Sequence, residues 1–216
     1  MRKPITAFAI SLLAMATSPC LAQTVYQLPF ASSGNTIELT VANTSWIALS
    51  GVQIEATGVP SWLSFKEIKQ SLSVLKANQE LPLLFTFSVD KSAPVNREQV
   101  IVFAITSSAG EKWTKEIRVT VSPPDHFELF QNYPNPFNPT TAISYQLSAE
   151  SRVSLRVFNI LGQEVASLVD GERLAGHHEE RWDAKGFPSG MYVYQLSLTD
   201  ESGDRHVARK AMILLK

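Results

Sequence analysis

The sequence predicts an all-β chain: two antiparallel β-sandwiches joined by a Pro/Asn-rich extended segment, behind a secretory leader. Three observations lead there. Apolar residues recur at every second position from Val25 to Val121, and again from Ile143 to Leu215. That is the period of a half-buried strand and not of a helix. Clusters of Gly, Pro, Asn and Ser cut the pattern into short runs, as a sandwich requires. Between the two alternating regions, Pro123, Pro124, Pro134, Pro136 and Pro139 make the sharpest break in composition.

At the N-terminus, residues 1–22 read as a signal peptide. Arg2 and Lys3 supply the positive start, and Ile5 to Ala16 an apolar run too short to span a bilayer. Cys20-Leu21-Ala22 places small residues where a signal peptidase reads, so cleavage is expected between Ala22 and Gln23. The one cysteine, Cys20, lies inside this segment. Thr17-Ser18-Pro19 before it lacks the pattern of a lipid-modified cysteine. The mature chain then has no disulfide framework and relies on its hydrophobic cores. It contains no run long enough for a transmembrane segment.

Residues 24–122 form the first expected sandwich. Ile37, Leu39 and Val41 alternate with Glu38 and Thr40; Val52, Ile54 and Ala56 alternate with Gln53 and Glu55. Leu81, Leu83, Phe85, Phe87 and Val89 share one parity. The run Gln99 to Ile105 is apolar on both faces, which marks a central strand. Residues 123–141 form the connecting segment. Its prolines fix φ, withhold N–H groups and push their predecessors toward extended backbone. It also carries Phe127, Leu129, Phe130, Tyr133 and Phe137, which a free linker would not need. These aromatics are expected to dock on the domain that follows. Residues 142–216 form the second sandwich of about seven strands, with Asn159 to Gln163 and Asp200 to Asp204 as hairpin connections.

Tyr133-Pro-Asn-Pro-Phe-Asn-Pro-Thr-Thr141, followed by Ile143, resembles the start of the type A C-terminal sorting domain of the type IX secretion system. The strand Val153 to Phe158, the turn Asn159 to Gln163, the strand ending in Trp182-Asp183 and Pro188-Ser-Gly-Met-Tyr192 fit the same pattern in order. So does the basic and aliphatic finish Arg209 to Lys216. The domain is also similar to the immunoglobulin-like domain of flagellar hook-capping proteins. The first region is similar to bacterial immunoglobulin-like domains, on Val41-Ala-Asn43, Gly58-Val-Pro-Ser-Trp62 and Phe85 to Val89. The resemblance implies export through the periplasm, with the protein secreted or held at the outer-membrane surface. It implies as partners the type IX secretion machinery and its surface peptidase, which removes the domain or exchanges it for an anchor. On that reading Tyr133, Pro134, Asn135 and Pro136 order the domain's start, and Gly190, Tyr192, Lys210, Ile213, Leu215 and Lys216 belong to the recognised surface. In the alternative, the second sandwich is a permanent structural module.

The residues call for no enzyme, cofactor or metal. Formal net charge is −1, so no basic footprint for nucleic acid exists. There is no Gly-x-Ser-x-Gly elbow, phosphate-binding loop or surviving cysteine nucleophile. His177, His178, Glu179, Glu180 and Asp183 lie on one expected strand, where neighbours point to opposite faces. They read as a solvated strand face. Asp200, Glu201 and Asp204 lack calcium-loop spacing. Asn43-Thr-Ser45 reads as a turn. Among the aromatics, Trp46 in an expected loop is the candidate ligand contact, with cell-surface polysaccharide as the partner it would suit.

Overall fold

A computed structural model of the chain describes residues 5–11, 25–200 and 203–216. Among them there is no α-helix, and none long and apolar enough to cross a membrane. The chain divides into two compact units, Met1–Ser122 and Pro123–Lys216. The connecting segment therefore belongs to the second unit.

In the first unit one sheet has the order β1 (Ile5–Ser11), β3 (Asn35–Asn43), β7 (Gln79–Val89), β5 (Leu63–Phe65). The other has the order β2 (Val25–Leu28), β9 (Lys112–Val121), β8 (Glu98–Thr106), β4 (Leu49–Thr57), β6 (Lys69–Leu75). The two inner faces meet in one core, to which strands such as β3, β4, β7, β8 and β9 send alternate side chains. Phe65, Phe85 and Phe103 pack with centroids 4.9 to 6.2 Å apart. Strand β8 is central, but its faces differ. Ile101, Phe103 and Ile105 are buried, whereas Val100 on the other face is 38% exposed. Sheet pairing makes this strand central, without a second buried layer on its outer side.

Of the expected leader, residues 1–4 and 12–24 lie outside the described residues, and with them the Ala22/Gln23 junction. Ile5–Ser11 forms β1, which runs parallel to β3 and among the described residues pairs with no other strand.

In the second unit β10 (Glu128–Leu129), β11 (Thr140–Leu147) and β14 (Gly176–Asp183) form one sheet. The other has the order β13 (Glu164–Arg173), β12 (Ser151–Asn159), β15 (Gly190–Asp200), β16 (Arg205–Leu214). Val153, Leu155 and Val157 of β12 and Tyr192, Tyr194, Leu196 and Leu198 of β15 point inward, over Ile143 and Tyr145 of β11. The turn at Asn159 closes because Asn159 Oδ1 accepts from the N–H groups of Leu161 and Gln163, while Gly162 takes φ 78°.

Candidate functional site

The chain from Phe127 to Thr141 docks on the sandwich that follows, through side chains and through backbone. Leu129 and Phe137 are buried, the Phe137 ring 5.5 Å from that of Trp182. Tyr133 departs from the expectation. Its backbone bridges to Ala142 in both directions at 2.9 Å, but its ring is 82% exposed. The cis peptides Tyr133–Pro134 and Asn135–Pro136 flank this tip.

This segment closes the edge of the last strand. Among the described strands β16 pairs only with β15, which leaves its outer row of N–H and C=O groups open to other partners. Phe137 N–H donates to Ile213 C=O, and Leu215 N–H donates to Phe137 C=O, each at 2.9 Å. The Ile213 N–H donates to Asn135 Oδ1 at 3.0 Å. Gln131 Nε2 donates to Ala211 C=O at 2.8 Å. The Pro/Asn segment and the C-terminal finish, 78 residues apart in sequence, thus make one seam.

Beneath the seam lies a set of residues that sequence reasoning missed. The Tyr194 hydroxyl accepts from Asn132 N–H at 2.9 Å and donates to Phe130 C=O at 2.8 Å. Asn132 Nδ2 donates to Thr141 Oγ1 at 2.9 Å and to Pro134 C=O at 3.0 Å. The Thr141 hydroxyl donates to Pro134 C=O at 2.9 Å. Burial pushes the Tyr194 hydroxyl up to about 12. The signal was present: an Asn in a proline-rich turn commonly bonds nearby backbone.

The other expected residues fall in different places. Gly190 has φ 152° and is exposed, a backbone conformation that favours glycine. Tyr192 is buried, its hydroxyl donating to Pro188 C=O at 2.7 Å, so it packs the core. Lys216 lies beside the start of β15: its N–H donates to Ser189 Oγ at 3.1 Å and its Nζ to Lys185 C=O at 3.2 Å. Ile213 and Leu215 are 41% and 52% exposed, and Lys210 is half-buried. Of the set from Tyr133 to Pro136, Asn135 therefore meets Ile213, while Leu215 is held by Phe137 and Tyr192 lies inside.

The strand His177 to Asp183 is only partly a solvated face. Trp182 is buried, and His178 stacks on Tyr145 with centroids 5.1 Å apart and 19° between the planes. Burial, with a smaller push from the Glu180 carboxylate, raises the Tyr145 hydroxyl to about 12. No group of three or more potential ligands stands together among the described residues. Glu201 lies outside them.

In the first unit, Trp46 is 89% exposed and Ile47 75% exposed, at the tip of the β3–β4 turn. The turn beneath them is held by hydrogen bonds. The buried Asn43 donates through Nδ2 to the carbonyls of Ile47, Leu75 and Lys76 at 2.9 to 3.1 Å, and its Oδ1 accepts from Ser45 N–H and Oγ. This explains Asn43-Thr-Ser45 as turn chemistry. Trp62 is buried and Trp113 packs on the core.

Residues 131–213 match the family described as "Secretion system C-terminal sorting domain". Over most of its length the second unit thus matches a sorting-domain family of the type IX secretion system, a family that is not catalytic. A chain that carries such a domain is directed to the cell surface or the exterior. No curated protein matches the sequence. Among solved structures, the CupB2 chaperone of Pseudomonas aeruginosa is 13% identical at a TM-score of 0.29, over 88% of this chain and 98% of that one. The dimeric latent PorU of Porphyromonas gingivalis is 11% identical at 0.35, over 89% of this chain and 19% of that one. The E. coli chaperone DraB is 16% identical at 0.32, over 89% and 95%. Similarity at this level carries no functional information.

Proposed function

We propose that the protein is an exported, non-catalytic carrier of a small binding or structural unit. Its second unit is the signal that the type IX secretion machinery reads. The observation that carries this is the sorting-domain match over 131–213, which spans both sides of the seam. In this reading the machinery recognises a surface made jointly by Asn135, Ile213, Leu215 and Lys216. A surface peptidase then cuts between the two units, where the chain passes from Ser122 into its proline segment.

Intact mass of the protein recovered from medium and cell surface tests this. The expected species starts at Gln23 and ends between Pro123 and Tyr133. A species that still ends at Lys216 replaces this reading with a permanent structural module.

A second reading concerns the first unit and rests on Trp46. An exposed indole on a hydrogen-bonded turn offers a flat apolar face, the geometry on which a sugar ring stacks. Cell-surface polysaccharide is the partner proposed for it. On a broad glycan panel, binding that vanishes in Trp46→Ala supports this; absence of binding by the native protein retires it.

A further inference from the structure

The outer face of the β13-β12-β15-β16 sheet carries an apolar groove that the seam does not explain. Register builds it. Phe158 of β12 lies opposite Val193 of β15, and Val193 opposite Ala211 of β16. In the neighbouring row, Met191 lies opposite Ile213. The Asn159 turn projects Ile160 over one end, 74% exposed, and Met191 is 53% exposed. Of these, Phe158, Ile160, Met191 and Val193 line a groove of about 480 Å³. Outward positions of a two-layer sandwich ordinarily carry polar residues, so contiguous apolar side chains across several strands mark a contact surface.

The rim of the groove is charged, and asymmetrically so. One register row runs Arg156, Gln195, Arg209. Arg156 meets Glu164 at 3.0 Å and Asp170 at 3.9 Å. Arg209 meets only a neutral amide: its Nε donates to Gln195 Oε1 at 2.5 Å. Among the described residues no carboxylate lies within 4.0 Å of it. The other polar groups at the groove are already engaged. The Asn159 side chain holds its own turn, and Gln195 Nε2 donates to Ser197. What remains is an apolar floor with one guanidinium whose terminal N–H groups suit a carboxylate.

We infer that this groove is the docking site for an apolar segment of a secretion-machinery protein that carries an Asp or Glu beside its anchoring side chain. The inference deepens the sorting proposal above and rests on it. A glycan would need several free donors and acceptors, which the groove does not offer. A second copy pairing the same patch with itself would bring another arginine, and acids that Arg156 already engages.

The test uses the full chain in a host that has the type IX system, with delivery to the surface as readout. In a host deleted for the translocon, delivery is lost; if it continues, the sorting reading and this inference fall together. In the competent host, Met191→Asp and Arg209→Glu each cut delivery roughly tenfold or more, the loss expected when a contact's central residues are removed. Arg209→Lys retains most of it. If both acidic variants reach the surface at the native level while the translocon-deleted host retains the chain, the groove inference fails and the sorting reading stands. Ile160→Asp, in an exposed turn, repeats the test should Met191→Asp melt below the native protein. A photo-crosslinking residue at Ile160 then identifies the occupant. An adduct to a protein of the type IX machinery, at an apolar peptide that carries Asp or Glu, supports the inference. An adduct to this chain, to a glycan or to lipid overturns it.

Discussion

The Tyr194 hydroxyl joins the second sandwich to the segment that opens it, accepting from Asn132 and donating to Phe130. Removing that oxygen leaves a buried N–H without its acceptor, and a buried donor or acceptor without a partner costs about 1–3 kcal/mol. Tyr194→Phe is therefore expected to destabilise the second unit by about 2 kcal/mol in denaturant unfolding. A change under about 0.5 kcal/mol would mean that the seam does not depend on it. The same residue sets a pH dependence. Tyr145 and Tyr194 are raised from 10.0 to about 12, chiefly by burial. Below pH 10.0 folded and unfolded chains both hold these protons, and stability is unaffected. Between 10.0 and about 12 the unfolded chain gives them up while the folded chain retains them, so stability falls as pH rises. Unfolding midpoints at about pH 9 and about pH 11 should show the fall, smaller in Tyr194→Phe.

Two edge strands are handled in different ways. Edges expose unpaired backbone groups and invite foreign strands. In the second unit Asn135 and Phe137 occupy the edge of β16 around Ile213 and Leu215, and the prolines nearby cannot extend a ladder. In the first unit β1 occupies the edge of β3. If residues 1–22 are a leader, β1 is lost on export and β3 becomes the edge. A chain beginning at Gln23 is then expected to keep the thermal transition of the first unit within a few degrees, because the core strands β3, β7, β8 and β9 remain. Loss of that transition would make β1 a permanent part of the fold and rule out the leader reading.

At the scale of the molecule, each unit buries its own core. Calorimetry of the full chain is therefore expected to resolve two transitions. Phe137 fixes which is which: it belongs to the second core although it comes from the opening segment. Phe137→Ala should lower the second unit's transition, at a cost of about 3–5 kcal/mol for a buried aromatic, and leave the other in place. If both transitions shift together, the units do not unfold separately. The division of labour proposed here depends on that separation, since a peptidase cut between the units has to leave the first one folded.

Much of this was legible in local pattern. Period-two alternation names strands because side chains of a pleated chain face opposite sides, so Ile37, Leu39 and Val41 could be assigned inward without coordinates. The family likeness was legible for a related reason: prolines and asparagines constrain backbone within a few residues, and those constraints are written in order along the chain. What the sequence left open depends on residues far apart. Alternation says that Tyr192 and Tyr133 are aromatics near a surface pattern; packing decides that one ring is buried and the other exposed. Nothing local announces that Asn135 would bond the backbone at Ile213, or that Phe158, Val193 and Ala211 would align in one row. Strand register sets these pairings, and a shift of one residue would turn each side chain to the opposite face. The sequence alone thus determined which stretches are strands and which family the second unit resembles. The tertiary structure decided which surface those strands present.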